Sequence, residues 1–314
     1  MTLVALTRCE GYDRSQVRTA VQRQFELLGV DRLVRRGDHV LIKPNMIAPR
    51  PARSAVQTDP VVITEVARAL LDLGARPVVG DSPAWGTLAN CARVLGLDDM
   101  LRPLAVTIAG LNRPRRCTLA DGRTTVPISS VALDADVVLN LPKFKAHQQL
   151  MFTFAVKNLF GCVPGKVKPF WHLARGGSTR QFSTFLIQLC QRIRPALTLI
   201  DAVVAMEGAG PINGRPKRIG YLIGSVDPIA AELACAQLVG VEPLSVPVIA
   251  AAEAFGIVPE LTRLVGDELA VCSGFEIPPL IPVRFSPARV ARSVFTGLWM
   301  VLMGQSRSKD DTLQ

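Results

Sequence analysis

The chain of 314 residues is long enough for one large domain or two small ones, and its 49% hydrophobic and 20% charged residues exclude general disorder. Aromatic residues make up only 5%, so the core is expected to consist mainly of Val, Leu, Ile and Ala, which suits buried parallel strands. The net charge of +10 comes from 36 basic residues mixed with 26 acidic ones. That mixture, with so few aromatic side chains, argues against nucleic-acid binding.

Strand and helix patterns alternate along the chain with short connections, which is typical of a parallel sheet with crossover helices. Thr58 or Asp59 can cap one helix, and Pro60 suits its first turn. Residues 103–130 break the alternation with three short strand patterns, which indicate an inserted β subdomain or an antiparallel edge. The sequence therefore predicts an α/β fold with a mostly parallel, Rossmann-like sheet, flanking helices and a small inserted β subdomain. The predicted elements, in chain order, are strand 3–8, helix 15–28, strand 39–42, helix 60–73, strand 76–80, the three short strands within 103–130, strand 136–141, helices 152–160 and 180–193, strands 197–200 and 221–224, helices 228–238 and 248–255, and strand 269–272.

The end of the chain differs from the α/β domain, which we expect to cover residues 1–277. Residues 278–287 are rich in proline and are predicted to form a linker to a short apolar tail that ends at residue 314. Residues 294–303 are almost wholly apolar and have basic residues on both sides, but the stretch is too short to span a bilayer. It could pack on its own domain, lie on an anionic membrane surface or dock on a protein partner.

Seven cysteines are dispersed through the chain, and no two form a CxxC pair. A zinc ribbon or a ferredoxin-type cluster loop needs such local pairs, so neither is encoded. The first nine residues hold no extended apolar run, so no secretory signal peptide is expected. These features predict a reduced, cytoplasmic protein, with the tail as a candidate for peripheral membrane contact. The cysteines are Cys9, Cys91, Cys117, Cys162, Cys190, Cys235 and Cys272.

Lysines are few in this chain and are concentrated in one segment. Only eight of the 36 basic residues are lysine, and five of these eight fall between Lys143 and Lys168. Two of the three histidines, His147 and His172, lie in or just beyond the same stretch. Lysine is a compact point charge whose pKa moves readily, whereas arginine is a fixed planar fork. The cluster is either a basic surface loop or, as we expect, a site that needs lysine itself.

Several predicted strands end in charged or amide side chains. Ligands bind outside the carboxyl ends of strands in open α/β sheets, so we expect these side chains around one cleft. Lys145 and His147 alternate with Lys143, and an extended backbone would place all three on one side. The residues at the strand ends are Lys43, Asn45, Asp81, Ser82, Lys143 and Asp201.

Lys157 and Asn158 lie in a segment that is otherwise apolar, where an unpaired lysine is costly. The charge of Lys157 needs either a core carboxylate such as Asp201 or an anionic ligand. We expect the ligand, because two further lysines and His147 lie a few residues upstream. Cys162 could be a nucleophile beside these basic groups, a metal ligand or a packed hydrophobe.

A glycine-rich loop at residues 206–214 permits close approach of the backbone to a ligand through Gly208 and Gly210. Its spacing is not that of the dinucleotide-binding fingerprint. Glu207 in this loop is a candidate general base or cation ligand. Asp227 precedes a helix, where it either contributes to the site or only caps that helix.

Seven short motifs follow one another between residues 39 and 240. They are Lys43-Pro44-Asn45, Thr58-Asp59-Pro60, Gly80-Asp81-Ser82, Leu141-Pro142-Lys143 with Lys145 and His147, Lys157-Asn158-Leu159-Phe160-Gly161, Glu207-Gly208-Ala209-Gly210-Pro211 and Asp227-Pro228. In this order they resemble the domain of unknown function 362 family. The resemblance implies the fold, and many members of that family carry a fused ferredoxin-like module and are described as iron–sulfur proteins. This chain has neither that module nor its cysteines, and it has Glu232 where members often have Asp.

These residues predict an enzyme that acts on a small carboxylate or phosphate compound. Lysines would hold the anion, an imidazole would transfer protons near neutral pH, and carboxylates would set their pKa values or bind a divalent ion. One rival is a redox or iron–sulfur-associated protein with Cys162 as a ligand, and another is a non-catalytic binding or maturation factor. The expected substrate-binding residues are Lys43, Asn45, Asp81, Ser82, Lys143, Lys145, Lys157, Asn158, Asp201, Gly208, Gly210 and Asp227, and the expected catalytic residues are His147, His172 and Glu207.

Overall fold

The computed structural model of the chain describes residues 1–259 and 262–284. The strands in these residues are β1 (Thr2–Arg8), β2 (His39–Pro44), β3 (Arg76–Asp81), β4 (Thr107–Gly110), β5 (Pro114–Thr118), β6 (Thr125–Ser129), β7 (Val137–Leu141), β8 (Lys143–His147), β9 (Met151–Thr153), β10 (Leu197–Glu207), β11 (Arg215–Ser225) and β12 (Thr262–Gly266). The helices are α1 (Arg14–Leu28), α2 (Val30–Leu33), α3 (Pro60–Asp72), α4 (Leu88–Leu95), α5 (Leu97–Leu101), α6 (Ser130–Asp134), α7 (Ala155–Asn158), α8 (Lys168–Arg175), α9 (Thr179–Ile193), α10 (Pro228–Leu238) and α11 (Pro247–Ala254).

One large sheet with the strand order β12-β1-β11-β10-β7-β2-β3-β4 forms the centre of the fold, and β8 and β9 extend it beside β10. The pairs along β10-β7-β2-β3-β4 are parallel, and so is β1 with β12. Only β11 runs against its neighbours in the main order, while β9 runs against β8. The predicted α/β fold with a mostly parallel sheet is therefore confirmed.

Helices cover both faces of the sheet, because its strands carry apolar side chains on both sides. In β2, Val40 and Ile42 join the core under α1, α3 and α4, whereas Leu41 joins the core under α9 and α11. Aspartate caps fix several helix starts: the side chain of Asp59 accepts the backbone N–H of Val61, with Pro60 in the first turn of α3. Aspartate caps of this kind mark the starts of α1, α3 and α10.

The insertion between β3 and β7 is smaller than the sequence predicted. Strand β4 pairs in parallel with β3 at the edge of the main sheet, where Val79 aligns with Ile108. Only β5 and β6 form a separate antiparallel pair. Short strand patterns do not reveal whether their partner is local or distant, so the sequence could not make this distinction.

Two predicted elements take a different form. Residues 152–160 form the end of β9, the short helix α7 and part of a 3₁₀ turn over Leu159–Cys162, not one helix. Stacked rings explain the strand: Phe152 and Phe154 lie 4.4 Å apart at their centroids, and both pack on Phe144. Residues 269–272 form no strand, and the last strand in the described residues is β12.

Residues 278–284 pack on the α/β domain, so the linker expected there is wrong for this part. The backbone N–H of Ile281 donates to the carbonyl of Gln148, and the Gln149 side chain donates to the carbonyls of Pro282 and Val283. Val283 is buried in the core. The apolar tail at residues 294–303 lies outside the described residues, and the predicted domain limits stay a prediction. None of the described helices is long and apolar enough to cross a membrane.

Candidate functional site

A cavity of about 320 Å³ lies beyond the carboxyl ends of β2 and β3, and residues from β8, α7 and α8 close it. This is the edge at which ligands bind in open α/β sheets. Nine of the predicted site residues line it, namely Lys43, Asn45, Asp81, Ser82, Lys145, His147, Lys157, Asn158 and His172. The structure thus brings together side chains that are up to 129 positions apart in the sequence, from Lys43 to His172.

A buried ion pair forms the floor of this cavity. Lys43 Nζ lies 2.9 Å from the Asp81 carboxylate and donates to the carbonyl of Pro44 at 2.6 Å. The carboxylate also accepts the backbone N–H groups of Met46 and Ser82, each at 2.7 Å. A Cβ on Gly161 would collide with both charged groups, which explains a glycine at this position. Lys43 and Asp81 thus satisfy each other, so they add no net charge to the cavity.

A chain of amide side chains holds Lys145 on the wall of the cavity. Lys145 Nζ donates to Asn45 Oδ1 at 2.6 Å and to the carbonyl of Val56 at 2.7 Å. Asn45 in turn donates to Asn158 at 2.9 Å, and Asn158 donates to Asn140 at 2.9 Å. No carboxylate in residues 1–259 and 262–284 contacts Lys145. Burial, followed by the charge of Lys157, holds the pKa of Lys145 well below its usual value. The pKa of the Lys145 amine is therefore displaced in the direction that favours its uncharged form.

Lys157 differs from the other lysines that line the cavity, because its amine has no acceptor among the described residues. It is half-buried, and its accessible part lines the cavity. Burial, followed by the charge of Lys168, lowers the pKa of Lys157 from 10.5 to about 7. The alternative of a core carboxylate such as Asp201 does not hold in the described residues, since Asp201 pairs with Lys143 instead.

Lys168 completes the cavity wall, although the sequence analysis did not single it out as a site residue. It donates to the carbonyl of Ser82 and lies 5.8 Å from the ring centroid of Phe160. Burial lowers the pKa of Lys168 from 10.5 to about 8, against the opposing charge of Asp81. The signal that could have found Lys168 is its place in the lysine-rich segment. Ser82 also holds the wall together, because its hydroxyl accepts the Gly165 N–H at 2.6 Å.

Both predicted histidines line the cavity, but in different surroundings. His147 Nδ1 accepts the backbone N–H of Gln149 at 3.1 Å, and burial holds the pKa of His147 well below its usual value. A neutral ring with that acceptor carries its proton on Nε2. His172 stacks on Phe182 with 4.6 Å between centroids and meets Phe160 edge-on. His147 is therefore a hydrogen-bond donor at the cavity, and His172 is held by aromatic packing.

Lys143 and Asp201 form a separate buried cluster with Tyr12, outside the cavity lining. Lys143 Nζ lies 2.8 Å from Asp201 and donates to the Tyr12 hydroxyl at 2.6 Å, while that hydroxyl donates to Asp201 at 2.9 Å. Burial, followed by the charge of Asp201, raises the pKa of Tyr12 well above its usual value and that of nearby Asp59 to about 6. The prediction of one cleft shared by all the site residues is therefore wrong for Lys143 and Asp201. Their charges satisfy each other inside the sheet.

The remaining predicted residues also lie outside the cavity lining. Glu207 accepts the backbone N–H of Glu276 at 3.0 Å and faces Arg215 and Lys217 at 3.7 and 3.9 Å. Asp227 caps α10 by accepting N–H groups of its first turn, the shortest at 2.7 Å. Gly208 and Gly210 shape the loop that carries Pro211 to the cavity, and a Cβ on Gly210 would collide with the carbonyl of Ala146. These positions are explained by capping and by close backbone packing.

The cysteines do not form a cluster site. All seven lie in the described residues as free thiols, and six are buried. Cys162 packs in the core under α9, and burial raises its thiol pKa to about 12, which disfavours the thiolate that a nucleophile or ligand needs. No three His, Cys, Asp or Glu side chains in residues 1–259 and 262–284 are placed to hold a metal ion. These residues therefore do not fit the iron–sulfur cluster described for members of the resembling family.

Three comparisons place the chain among known proteins. The family model described as domain of unknown function (DUF362) matches residues 40–237. The thylakoid-associated protein sll1697 of Synechocystis sp. is 36% identical over 299 residues, which cover 93% of each chain. The lactate racemase apoprotein of Thermoanaerobacterium thermosaccharolyticum matches with a TM-score of 0.50 and 14% identity, over 76% of this chain and 57% of that one, which shows similarity of fold alone. The chain belongs to the domain of unknown function (DUF362) family, as the order of its motifs predicted.

Proposed function

We propose that the chain is an enzyme whose cavity binds a small anionic molecule, either a carboxylate or a phosphate compound. The unpaired amine of Lys157 is the observation that carries the proposal. Among the described residues, four lysines line the cavity, Lys43, Lys145, Lys157 and Lys168. The same part of the chain contributes one carboxylate to the lining, that of Asp81, which is already paired with Lys43. An anion between Lys157 and Lys168 would supply the missing counter-charge.

The size and lining of the cavity fit a small ligand. A volume of about 320 Å³ is at the lower end of the range for small-molecule sites. Met46, Trp85 and Phe160 provide an apolar part of the wall beside the lysines. A ligand with one charged end and a short carbon skeleton would contact both.

The side chains around the cavity suggest roles in proton transfer. Lys145 donates to Asn45 and to the carbonyl of Val56, and its lowered pKa favours the form whose lone pair can accept a proton. The Nε2–H of His147 can donate to an oxygen of the ligand. We therefore assign Lys145 as the candidate base and His147 as the candidate hydrogen-bond donor, and we keep His172 as a further candidate for proton transfer.

Thermal unfolding with a matched series of ligands tests the ligand class. Phosphate, acetate and glyoxylate should raise the melting temperature of the whole chain, whereas acetamide, an uncharged analogue of acetate, should not. Lys168→Met should weaken this effect, and Lys166→Met should leave it unchanged, because Lys166 is exposed and does not line the cavity. Equal stabilisation by acetate and acetamide would contradict an anion site.

We also propose that the chain resides in the cytoplasm and contacts an anionic membrane surface peripherally. The support is the name of its 36% identical relative, which is thylakoid-associated, and the apolar stretch 294–303 with its basic neighbours. Flotation with vesicles that contain anionic lipid should carry the full chain upward. A chain truncated after residue 287 should not float with the vesicles. Equal flotation of both proteins would contradict a role for the tail in membrane binding.

A further inference from the structure

We propose that Lys157 forms an imine with a small carbonyl compound that carries a carboxylate or phosphate group. The inference rests on the proposed function for the anionic part of the ligand. A carbonyl group in the ligand is inferred from the Lys157 amine, which borders the cavity and donates to no acceptor among the described residues. A nucleophilic lysine needs a free lone pair and a desolvated pocket, and this position offers both.

The other lysines are engaged or lie elsewhere. Lys43 and Lys143 are ion-paired, and an ammonium group held by a carboxylate has no lone pair for attack. Lys145 uses two hydrogens on protein acceptors, and Lys168 donates to the Ser82 carbonyl. Lys217 donates to the carbonyl of Gly274, Lys166 is exposed, and Lys309 lies outside the described residues.

The groups around Lys157 suit the rest of such a ligand. The charge of Lys168 lowers the pKa of Lys157, and the charge of Lys157 lowers the pKa values of Lys145 and His147. All four side chains line the cavity. Lys168 can hold the anionic group, and the Nε2–H of His147 can donate to the carbonyl oxygen. With a pKa lowered to about 7 by burial, about half of the Lys157 amine is unprotonated at neutral pH.

The reaction needs no co-reactant. Lys157 Nζ adds to the carbonyl carbon, the C–O π bond opens, and one amine hydrogen moves to the oxygen to give a carbinolamine. The C–O bond then breaks, the second amine hydrogen leaves with the oxygen as water, and a C=N bond remains. Lys168 can lend a proton to the departing hydroxyl group and regain one from the nitrogen, so atoms and electrons balance.

Borohydride trapping of the whole chain tests the proposal, with glyoxylate as the probe. Hydride adds to the imine carbon and fixes one carboxymethyl group on the lysine, which intact mass and peptide mapping locate. The adduct on Lys157 should exceed that on Lys166 by at least about tenfold, because burial lowers the pKa of Lys157 to about 7, whereas Lys166 is exposed and lies outside the cavity lining. Acetaldehyde, which lacks the anionic group, serves as a second probe.

Two variants keep the result interpretable. Lys157→Arg keeps a positive charge but cannot form the imine, so it should still bind oxalate in calorimetry while the trapped adduct is lost. Lys166→Arg should keep both properties.

Oxalate binding without an adduct on Lys157 would overturn the imine and leave the anion site standing. An adduct on Lys157 from acetaldehyde, with no oxalate binding, would support the reactive amine and overturn the anion site. Equal labelling of all lysines, or labelling of Lys145 instead, would overturn the assignment.

Discussion

Lys143 and Lys157 are both removed from bulk water, but they differ in whether the protein supplies a counter-charge. Lys143 lies 2.8 Å from Asp201 and 2.6 Å from the Tyr12 hydroxyl, so its charge is compensated inside the protein. Lys157 has no acceptor among the described residues and borders a cavity. Burial of a lysine is therefore a poor sign of a functional site in this chain. The missing counter-charge is the better sign, because only an uncompensated group gains from a ligand.

The two clusters also differ as wholes. The cluster around Lys143 contains two carboxylates, Asp59 and Asp201, for one lysine. The cavity has four lysines and one carboxylate, Asp81. Burial lowers the pKa values of Lys157 and Lys168, and the charge of Lys168 lowers that of Lys157 further, whereas burial and then the charge of Asp201 raise the pKa of Asp59. The first cluster is suited to holding the sheet together and the second to holding an anion.

The largest effect is expected for Lys143→Met. The change leaves Asp201 buried without its partner, which should lower the free energy of unfolding by about 3–5 kcal/mol. Denaturant unfolding measures this value, with Lys166→Met as the control, since an exposed lysine should matter by less than about 0.5 kcal/mol. A loss below about 1 kcal/mol would show that the Lys143 cluster is not structural.

Lys157→Met should give the opposite pattern. Methionine replaces the apolar part of the side chain and removes an uncompensated charge, so the free energy of unfolding should change by less than about 1 kcal/mol. The affinity for oxalate should fall by about 1.5–3 kcal/mol, the value of a hydrogen bond to a charged group. Unfolding and calorimetry on the same preparation separate the two effects. A marked loss of stability without ligand would remove the contrast with Lys143.

The pH dependence of oxalate binding is expected to follow Lys157. Bound anion favours the protonated amine, so the affinity should be constant below pH 7 and fall above it by up to about 1.4 kcal/mol per pH unit. Oxalate keeps its charge over this range. In Lys157→Met the slope between pH 7 and 8 should largely disappear, because the pKa of Lys168 is about 8. An unchanged slope in the variant would assign the titration to another group.

Glu232→Gln should have the smallest effect when it is measured at or below pH 4.5. Burial raises the pKa of Glu232 from 4.5 to about 8, so the carboxyl is mostly protonated at pH 7 and resembles glutamine. It accepts the N–H of Val156 at 2.8 Å, which a Gln carbonyl can also do, so at or below pH 4.5, where the unfolded chain also keeps much of this carboxyl protonated, the change should stay below about 0.5 kcal/mol.

Between pH 4.5 and about 8 the two proteins should diverge. The stabilisation of native protonated Glu232 is fully present below pH 4.5 and is lost as pH rises through 8, because the unfolded chain then ionises more readily. Between pH 6 and pH 9, the free energy of unfolding should therefore fall more steeply for the native protein than for the variant. Parallel pH profiles would contradict a buried neutral carboxyl.

Most of the secondary structure was readable from the sequence where patterns were long and capped. The helix predicted at residues 15–28 corresponds to α1, and the one predicted at 180–193 corresponds to α9, each within one residue. The prediction failed at residues 152–160, where ring packing between Phe152 and Phe154 overrides a helical pattern. It also failed at residues 278–284, where proline-rich sequence suggested a linker and the backbone instead bonds to Gln148 and Gln149.

The sequence by itself determined the family, the α/β fold and the edge of the sheet where polar side chains gather, because strand ends and ordered motifs are local features. Only the tertiary structure decided which buried lysine has a carboxylate partner. Asp201 is 58 residues from Lys143 and 44 from Lys157, and sequence distance does not say which of them it meets. The register of β10 beside β8 aligns Asp201 with Lys143, and that pairing leaves Lys157 facing the cavity.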